Sequence, residues 1–499
     1  MAYIHGDGFD TYATAADAGL NYWDTSTNLT MSTDTRFGVG QSVSSASATT
    51  TLLRKLFGSN ESTVFVAMLF KYAGTFAAAS ETFGFQLQDG ATAQMTVMFR
   101  TDGAIVVRSG GVAGTVLATW TSAYSANTWT QFNFKAVINN STGSVEVRTN
   151  GATSDTFSVT GVNTRAGTSN NYANAIAMLT NSGTGIQNRF DDLLIYSGSG
   201  AAPNDWVGDV RYIWLPTIAD TAQKQFAASP TSSTAFGLQT QTGSNTLSIT
   251  ANNIRTGAAW VCPLGGTLGK ATVNFNAGVT GHAIVGLYDS DGTSGAPGTL
   301  LATSNAVTNP TSGLNDFTFA SPPTVVNGHT YYHGFLADVT SVIKAGASTT
   351  TYTQAQTYGS GFTNPFGGSS GSVLQPIIYG TITGTNVGCV QELIEDGASS
   401  YVYDSTAGHY DLYDVADLLT LPSAIIGVDV RAIGAKSDAG ARTGTVTVKS
   451  GSTSQDGATV TLSTTMSNIA MFLATDPNTS VAWTSAAINA LQIGPKTIS

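Results

Sequence analysis

The stretch Arg189-Phe-Asp-Asp-Leu-Leu-Ile-Tyr is followed by the small and polar residues Ser-Gly-Ser-Gly-Ala-Ala-Pro-Asn-Asp and then by Trp206-Val-Gly-Asp-Val-Arg-Tyr. Its first and last parts are short apolar runs typical of β-strands, whereas the middle part has the Gly, Pro and Asn residues of a connector. The stretch therefore predicts the closing strand of one β-domain, a junction, and the first strand of the next domain.

The chain before this junction is a series of short strand patterns separated by turn signals. Asp102-Gly103 and Thr142-Gly143 are such turns. The spacing is typical of an antiparallel sandwich, and no long helical period competes with it. The predicted strands are Val64–Phe70, Phe83–Leu87, Met95–Arg100, Ala104–Val107, Trp129–Val137 and Ser144–Arg148.

Five features of this segment occur in the order seen in a known fold. They are Phe70-Lys71 in a long strand, the Asp102-Gly103 turn, Trp129 at the start of a strand, Gly143 before Val145-Glu-Val, and Phe190-Asp-Asp-Leu-Leu-Ile-Tyr. Together they resemble the laminin-G or concanavalin-like lectin and glucanase fold over residues 1–200. Relatives of that fold hold a structural calcium, so the resemblance implies Asp192 as a calcium ligand with Asp10 as a helper. The alternative is that one Asp of the pair faces solvent while the other accepts backbone N–H bonds.

The hydrolases of that fold carry carboxylates at alternating positions of one strand, because retaining chemistry needs two carboxyl groups about 5 Å apart. Glu81 and Glu146 are isolated in this sequence. The strand positions at which such acids would lie carry Gln86, Gln88, Thr96, Asn133 and Lys135. We therefore predict no catalytic residue and a protein that is not an enzyme.

The junction carries the large side chains Trp206, Tyr212 and Trp214. We predict that they pack an interdomain seam, because a short segment between two domains must fix their relation; stacking on sugar rings is the alternative. The phrase Asn204-Asp-Trp-Val-Gly-Asp-Val-Arg resembles structural proteins of tailed bacteriophages. The same resemblance returns in Ser399–Asp414, Ile425–Ala432, Lys436–Arg442 and Asp476–Gly494.

In those phage proteins the Gly-Asp-Val-Arg strand runs almost directly into the C-terminal domain, whereas here residues 230–385 intervene. We predict an all-β chain of antiparallel sandwiches. It comprises a concanavalin/laminin-G-like jelly roll (1–200), a hinge and first strand of the C-terminal domain (201–229), an inserted β-sandwich (230–385) and a C-terminal β-sandwich (386–499).

The inserted segment is similar to carbohydrate-binding modules of bacterial surface proteins and carbohydrate enzymes. The similarity rests on Val285-Gly-Leu-Tyr, Gly295-Ala-Pro-Gly-Thr-Leu-Leu and Val326-Asn-Gly-His-Thr-Tyr-Tyr. Tyr352, Tyr358, Phe362 and Phe366 lie in a stretch rich in Gly, Ser and Thr. Aromatic rings on a loop can stack on sugars, so these four are the predicted glycan contacts; covering the end of the core or contacting a neighbouring subunit is the alternative.

The composition excludes several function classes. Charged residues make up 10% of the chain, against roughly 25% in ordinary soluble domains. With 20 Lys and Arg against 31 Asp and Glu, the net charge is -11, and no basic cluster exists for a nucleic acid. No apolar run reaches the roughly 18 residues of a membrane span, and Met1–Asp10 has no signal-peptide pattern.

Cys262 and Cys389 lie in different predicted domains and form no CxxC pair, so a zinc site is not predicted. We expect two buried free thiols and leave a bridge between them open. Apart from the calcium implied above, no cofactor is expected.

These observations predict a non-enzymatic virion protein of a tailed phage, made in the host cytoplasm and displayed as a tail fibre, tail-tip or capsid decoration protein. Its partners would be other virion proteins and host-surface glycans. We expect a homo-oligomer and, by analogy with fibres, a trimer. A purely architectural particle protein and a glycan hydrolase are the alternatives.

Overall fold

The computed structural model describes residues 3–12, 23–27, 29–38, 40–45, 50–180, 188–348, 350–371, 374–391, 399–420 and 422–499. Nearly all regular structure in these ranges is β-strand, in several antiparallel sheets, which confirms the predicted all-β class. In the same ranges, no helix combines the length and hydropathy needed to cross a membrane.

The elements follow the chain in three groups. The first is β1 Tyr3–Asp7, β2 Thr25–Ser26, β3 Leu29–Ser32, β4 Ser42–Ser45, β5 Thr50–Glu61, β6 Thr63–Tyr72, β7 Glu81–Asp89, β8 Thr92–Arg100, β9 Ile105–Ser109, β10 Thr115–Trp120, β11 Thr130–Val137, β12 Gly143–Thr149, β13 Phe157–Val162, β14 Ala173–Thr180 and β15 Asn188–Ser197. The second is β16 Thr217–Asp220, β17 Ala227–Ser229, β18 Ser232–Gly237, β19 Thr246–Ile249, β20 Asn253–Thr256, β21 Trp260–Val261, β22 Gly266–Phe275, β23 His282–Asp289, β24 Leu300–Thr303, β25 Val307–Thr308, β26 Gly313–Thr318, β27 Thr324–Val325, β28 Thr330–Ala337, β29 Ser341–Ala347, β30 Tyr352–Ala355, β31 Ser369–Ser370, β32 Leu374–Pro376, β33 Ile378–Gly384, β34 Tyr401–Tyr403 and β35 Tyr413–Val415. The third is β36 Val428–Gly434, β37 Thr443–Ser450, β38 Thr453–Asp456, β39 Val460–Thr461, β40 Ser467–Leu473, α1 Ser485–Asn489 and β41 Gln492–Thr497. Short 3₁₀ turns lie at Thr293–Gly295, Tyr358–Ser360 and Val387–Cys389.

The chain divides into two compact units. The first contains Met1–Leu215 and Val415–Ser499, and the second contains Pro216–Glu392 and Asp396–Asp414. The N-terminal and C-terminal parts of the chain therefore belong to one unit, and the middle of the chain forms the other.

The N-terminal part of the first unit is a sandwich of two sheets. The first sheet has the order β13-β12-β11-β6-β15-β4-β3 with β1 also paired to β15, and the second sheet has the order β10-β9-β8-β7-β14-β5-β2. Alternate residues of each strand face the other sheet. The core between the sheets is rich in aromatic rings, including Phe70, Phe83, Phe99, Phe134 and Phe190.

The C-terminal part of the first unit contains β37 paired with β38, β39 and β41, and β36 paired with β40. Trp483 lies in its core and donates from Nε1 to the Leu473 carbonyl at 2.9 Å. The single turn of helix α1 begins after Thr484, which caps it by accepting from the Ala487 N–H.

The second unit holds two larger sheets. One has the order β18-β33-β22-β29-β19, and the other has the order β24-β23-β28-β20-β30-β31. Cys262 and Cys389 are both buried free thiols, as expected, but the prediction that they lie in different domains is wrong, because both pack in the same core. Burial raises the pKa of the Cys262 thiol to about 11.

Candidate functional site

Four polar side chains and one alanine lie in a line across five strands on the outer face of the second sheet. Phe85 of β7 and Val97 of β8 point into the core, so their neighbours Gln86 and Thr96 point outward. Backbone register then aligns residues from β5, β14, β7, β8 and β9 in one line. We name this line, Arg54, Ala177, Gln86, Thr96 and Arg108, the polar row.

Hydrogen bonds hold the side chains at one end of the polar row. Gln88 donates to Gln86 Oε1 at 3.2 Å, and Arg54 Nε donates to Gln88 Oε1 at 3.0 Å. Arg54 Nη2 also donates to the Gly90 carbonyl. These amide and guanidinium groups are therefore fixed on rigid strands, which is the arrangement that recognition of a polar ligand requires.

The other end of the row borders a depression of about 460 Å³ lined by Ala79, Ser80, Glu81, Arg100, Arg108 and Val112. Arg108 Nη2 lies 2.5 Å from Glu81 Oε1, and Arg108 Nη1 donates to the Gly114 carbonyl at 2.9 Å. Arg100 pairs with Asp102 at 2.5 Å. The depression thus offers charged hydrogen-bonding groups whose charges are already paired.

Asp89 at the end of β7 is surrounded by hydrogen-bond donors. Its carboxylate accepts from Thr168 Oγ1 at 2.7 Å, Asn170 Nδ2 at 2.8 Å and Asn174 Nδ2 at 3.1 Å. The Thr168 hydroxyl, with the two amides, lowers the pKa of Asp89. Next to this cluster a depression of about 320 Å³ is lined by Leu56, Phe57, Gly58, Ser59, Asn60, Gly90 and Asn174. Apolar and hydrogen-bonding surface therefore meet beside the polar row.

The structure brings together three of the five neutral or basic residues singled out in the sequence. Gln86, Gln88 and Thr96 share the outer face of the second sheet, whereas Asn133 and Lys135 lie on β11 of the first sheet. There Asn133 Nδ2 donates to the Gly208 carbonyl at 2.6 Å, and Lys135 pairs with Glu146 at 3.0 Å.

Asp191 and Asp192 lie at a bulge where β15 pairs with β6. Asp192 has a φ of 46°, in the left-handed region, and its Oδ1 accepts from the Tyr212 N–H at 2.7 Å. Asp191 accepts from the Asp192 N–H at 2.8 Å. Burial raises the pKa of both carboxyl groups, and their proximity raises that of Asp191 further. Protonated carboxyl groups are therefore favoured here.

The resemblance implies Asp192 and Asp10 as calcium ligands, and these two carboxyl groups interact electrostatically in the structure. Asp10 accepts from the Gln41 N–H at 3.0 Å, and its charge raises the pKa of Asp192. However, the described residues contain no group of three or more His, Cys, Asp or Glu side chains that could hold a metal ion. Backbone carbonyls would have to supply most of the six to eight oxygen ligands that calcium takes. A calcium at Asp192 and Asp10 stays a prediction.

The predicted seam residues Trp206, Tyr212 and Trp214 follow the closing strand β15 along the chain. Trp206 packs edge-on against Phe65 with ring centroids 5.4 Å apart, and Arg148 lies 4.2 Å over its ring. Tyr212 donates from its hydroxyl to Asp429 Oδ2 at 2.9 Å. Trp214 is partly buried.

The four predicted glycan-contact aromatics pack on the outer face of a sheet in the second unit. Phe362 is 8% exposed and forms a cluster there that Tyr352, Tyr358 and Phe366 join as partly buried members. Gly286 and Gly334 oppose each other on β23 and β28, and a Cβ at either would come within about 3.2 Å of the Phe362 ring. The packing accounts for Phe362 without a ligand, and glycan contact by the other three stays a prediction.

Comparisons with solved structures find likenesses whose TM-scores are low. No protein-family model and no curated protein matches the sequence. The solved structures that resemble it include galectin LEC-6 of Caenorhabditis elegans, at 12% identity over 30% of this chain and 92% of that one, with a TM-score of 0.20. They also include the carbohydrate-binding module CBM66 of Bacillus subtilis (10% identity, 35% and 96% of the two chains, TM-score 0.24) and the alginate lyase vAL-1 of a Chlorella virus (12%, 39% and 99%, 0.28). A carbohydrate-binding module and an alginate lyase are thus both among these structures.

Arg54 and Arg108, the charged ends of the polar row, were not among the residues that the sequence singled out. Arg108 follows an alternating run, so its outward direction was readable from period two. The place of Arg54 in the row could not be predicted from local alternation. It depends on the pairing of β5 with β14, in which the partner of Arg54 is Ala177, more than a hundred positions away in the sequence.

Proposed function

We propose that the protein is a non-enzymatic glycan-binding protein that uses the outer face of its second sheet. The observation that carries this proposal is the polar row, in which the partly exposed side chains of Arg54, Gln86 and Arg108 lie in one line across the sheet. Such groups match the hydroxyls and ring oxygens of sugars, and the length of the row suits an extended chain rather than a single ring.

The same face argues against glycan hydrolysis. Retaining hydrolysis needs two carboxyl groups about 5 Å apart, and inverting hydrolysis needs two at a somewhat greater separation. Gln86, Gln88 and Thr96 are neutral, and Glu81 is paired with Arg108. A hydrolase would therefore need a second carboxyl group that the polar row does not supply.

We place this binding activity on the virion of a tailed phage, as a tail fibre, tail-tip or capsid decoration protein. The resemblance of Asn204–Arg211 and of the C-terminal segments to phage structural proteins supports this setting. Many copies on a particle, trimeric by analogy with fibres, would convert weak contacts with host glycans into strong adhesion.

The test is a glycan array probed with the full chain and with the Gln86→Ala/Gln88→Ala variant. We expect the wild type to bind bacterial surface glycans and the variant to lose about tenfold or more in affinity, since two neutral hydrogen bonds contribute roughly 1–3 kcal/mol together. Gln455→Ala, at an exposed glutamine of β38, is the matched control. If the wild type bound no glycan while purified particles contained the chain, the protein would be purely architectural.

A further inference from the structure

An exposed aromatic pair lies on a short ribbon of the second unit. β17 and β34 pair with each other, with Ala227 opposite Tyr403 and Ser229 opposite Tyr401. Tyr401 is 43% exposed and Tyr403 is 55% exposed. Residues two apart on a strand share a face, so both rings project from the same side of the ribbon.

The other side of the ribbon is anchored. Ala228 and Val402 alternate with these outward residues and pack against the buried core of the second unit. The two tyrosines are therefore carried by a short strand whose position is fixed by apolar packing. Because Ala227 and Ser229 opposite them are small, neither ring is covered from across the ribbon.

The pair differs from the other strongly exposed aromatic side chains of the described residues. Phe37 is flanked by the guanidinium groups of Arg36 and Arg211, and Phe76 contacts other aromatic rings. Tyr401 and Tyr403 contact each other, with ring centroids 6.0 Å apart and planes inclined at 57°. Within the described part of the chain, neither hydroxyl has a hydrogen-bond partner.

We propose that Tyr401 and Tyr403 form a second sugar-binding platform, which holds a pyranose ring of an oligosaccharide. One ring stacks on the apolar C–H face of the sugar, the inclined ring contacts its edge, and the two phenol hydroxyls exchange hydrogen bonds with the sugar hydroxyls. Asp404 and His409, joined by a contact of 3.0 Å, give the adjoining chain a polar, fixed rim.

The size of the platform favours a sugar over a protein partner. A stable protein interface buries roughly 800 Å² on each partner, whereas two half-exposed tyrosines supply on the order of 200 Å² of ring surface. Their immediate neighbours on the ribbon are small, so they do not extend the apolar patch. Such an area matches one or two sugar rings.

The platform lies in the second unit and uses no residue of the polar row, so the two proposals can fail separately. The experiment is saturation-transfer NMR of the full chain with chito-oligosaccharides and cello-oligosaccharides, followed by titration of those that bind. We expect Tyr401→Ala/Tyr403→Ala to weaken binding by about tenfold, and Tyr401→Phe/Tyr403→Phe to retain most of it because the rings remain.

Val261→Ala, at another exposed side chain of the same unit, should bind like the wild type. Gln86→Ala/Gln88→Ala should leave this binding unchanged. The platform proposal is overturned if neither oligosaccharide series binds the wild type or if the double alanine variant binds equally well. It is also overturned if that variant changes only the oligomeric state, measured by light scattering, because the pair would then be a protein contact.

Discussion

Asp191 and Asp192 are two buried carboxyl groups whose ionisation couples to folding. Both are at least 95% buried, and burial raises their pKa values above the ordinary value of 3.8. The folded state therefore holds protons that the unfolded chain releases above about pH 4. By linkage, the stability of the first unit should fall as the pH rises from there through neutrality.

Asp191→Asn should reduce this fall in stability. The asparagine keeps an oxygen that can accept from the Asp192 N–H but carries no charge. We expect the variant to be more stable than the wild type by on the order of 1–3 kcal/mol at about pH 9 and similar to it at about pH 5. Thermal unfolding followed by tryptophan fluorescence measures this, because six of the seven tryptophans, all but Trp260, lie in the first unit.

Asp438→Asn, at an exposed carboxylate, is the control. An unchanged pH profile in Asp191→Asn would contradict the account of the buried pair.

Thermal unfolding also tests the calcium expected at Asp192 and Asp10. Millimolar calcium should raise the unfolding temperature of the wild type at about pH 9 but not that of Asp192→Asn, whose side chain also suits a positive φ.

At the scale of elements, β36 is the strand that joins the C-terminal segment to the N-terminal sandwich. Asp429 Oδ2 accepts from the Tyr3 hydroxyl at 2.5 Å and from Arg431 at 2.7 Å. Arg431 also donates to the Gly6 carbonyl. A Cβ at Gly6 would lie 2.8 Å from the Tyr212 ring, so glycine permits this close approach. β1 and β36 are thereby tied by a largely buried ion pair with tyrosine partners.

Arg431→Ala should destabilise the first unit by about 3–5 kcal/mol, because it leaves the Asp429 carboxylate buried without its cation. Asp429 is 6% and Arg431 19% exposed, so solvent would compensate little. Arg442→Ala breaks a surface pair with Asp438 and should change stability by less than about 0.5 kcal/mol. Equal urea midpoints for the two variants, read from tryptophan fluorescence, would argue against a tie between β1 and β36.

At the scale of the whole molecule, the two ends of the chain fold into one unit. Phe65 and Tyr196 stack on the outer face of the first sheet, where Val210 of the connector and Ile426 of the C-terminal segment cover them. This apolar face would be open to water in a fragment that ends at residue 200.

A fragment of residues 1–200 should therefore self-associate and bind a hydrophobic dye. A chain in which a flexible linker joins residues 1–215 to residues 415–499 should remain monomeric and bind no dye. Size-exclusion chromatography and dye fluorescence compare the two. A monomeric, dye-negative 1–200 fragment would show that the connector and C-terminal segment are dispensable for the sandwich.

Local patterns in the sequence were sufficient for the fold class and many elements. The alternation in Met95–Arg100 predicts β8 and the outward direction of Thr96, and the turn at Asp476 is closed by its carboxylate accepting from the Asn478 N–H at 2.9 Å. These features depend on neighbours in sequence, because strand alternation and side-chain turns are short-range physics.

Only the tertiary structure decided which distant residues meet. The pairing of β5 with β14 places Arg54 in line with Gln86, and the packing of one core brings Cys389 beside the residues around Cys262. The bulge at Asp191 shifts the alternation of the closing strand, so that Phe190 and Leu193 both face the core. The two-residue alternation of a strand fixes which way each side chain points. The choice of partner strand depends on the burial summed over the whole unit, which cannot be read from local sequence patterns.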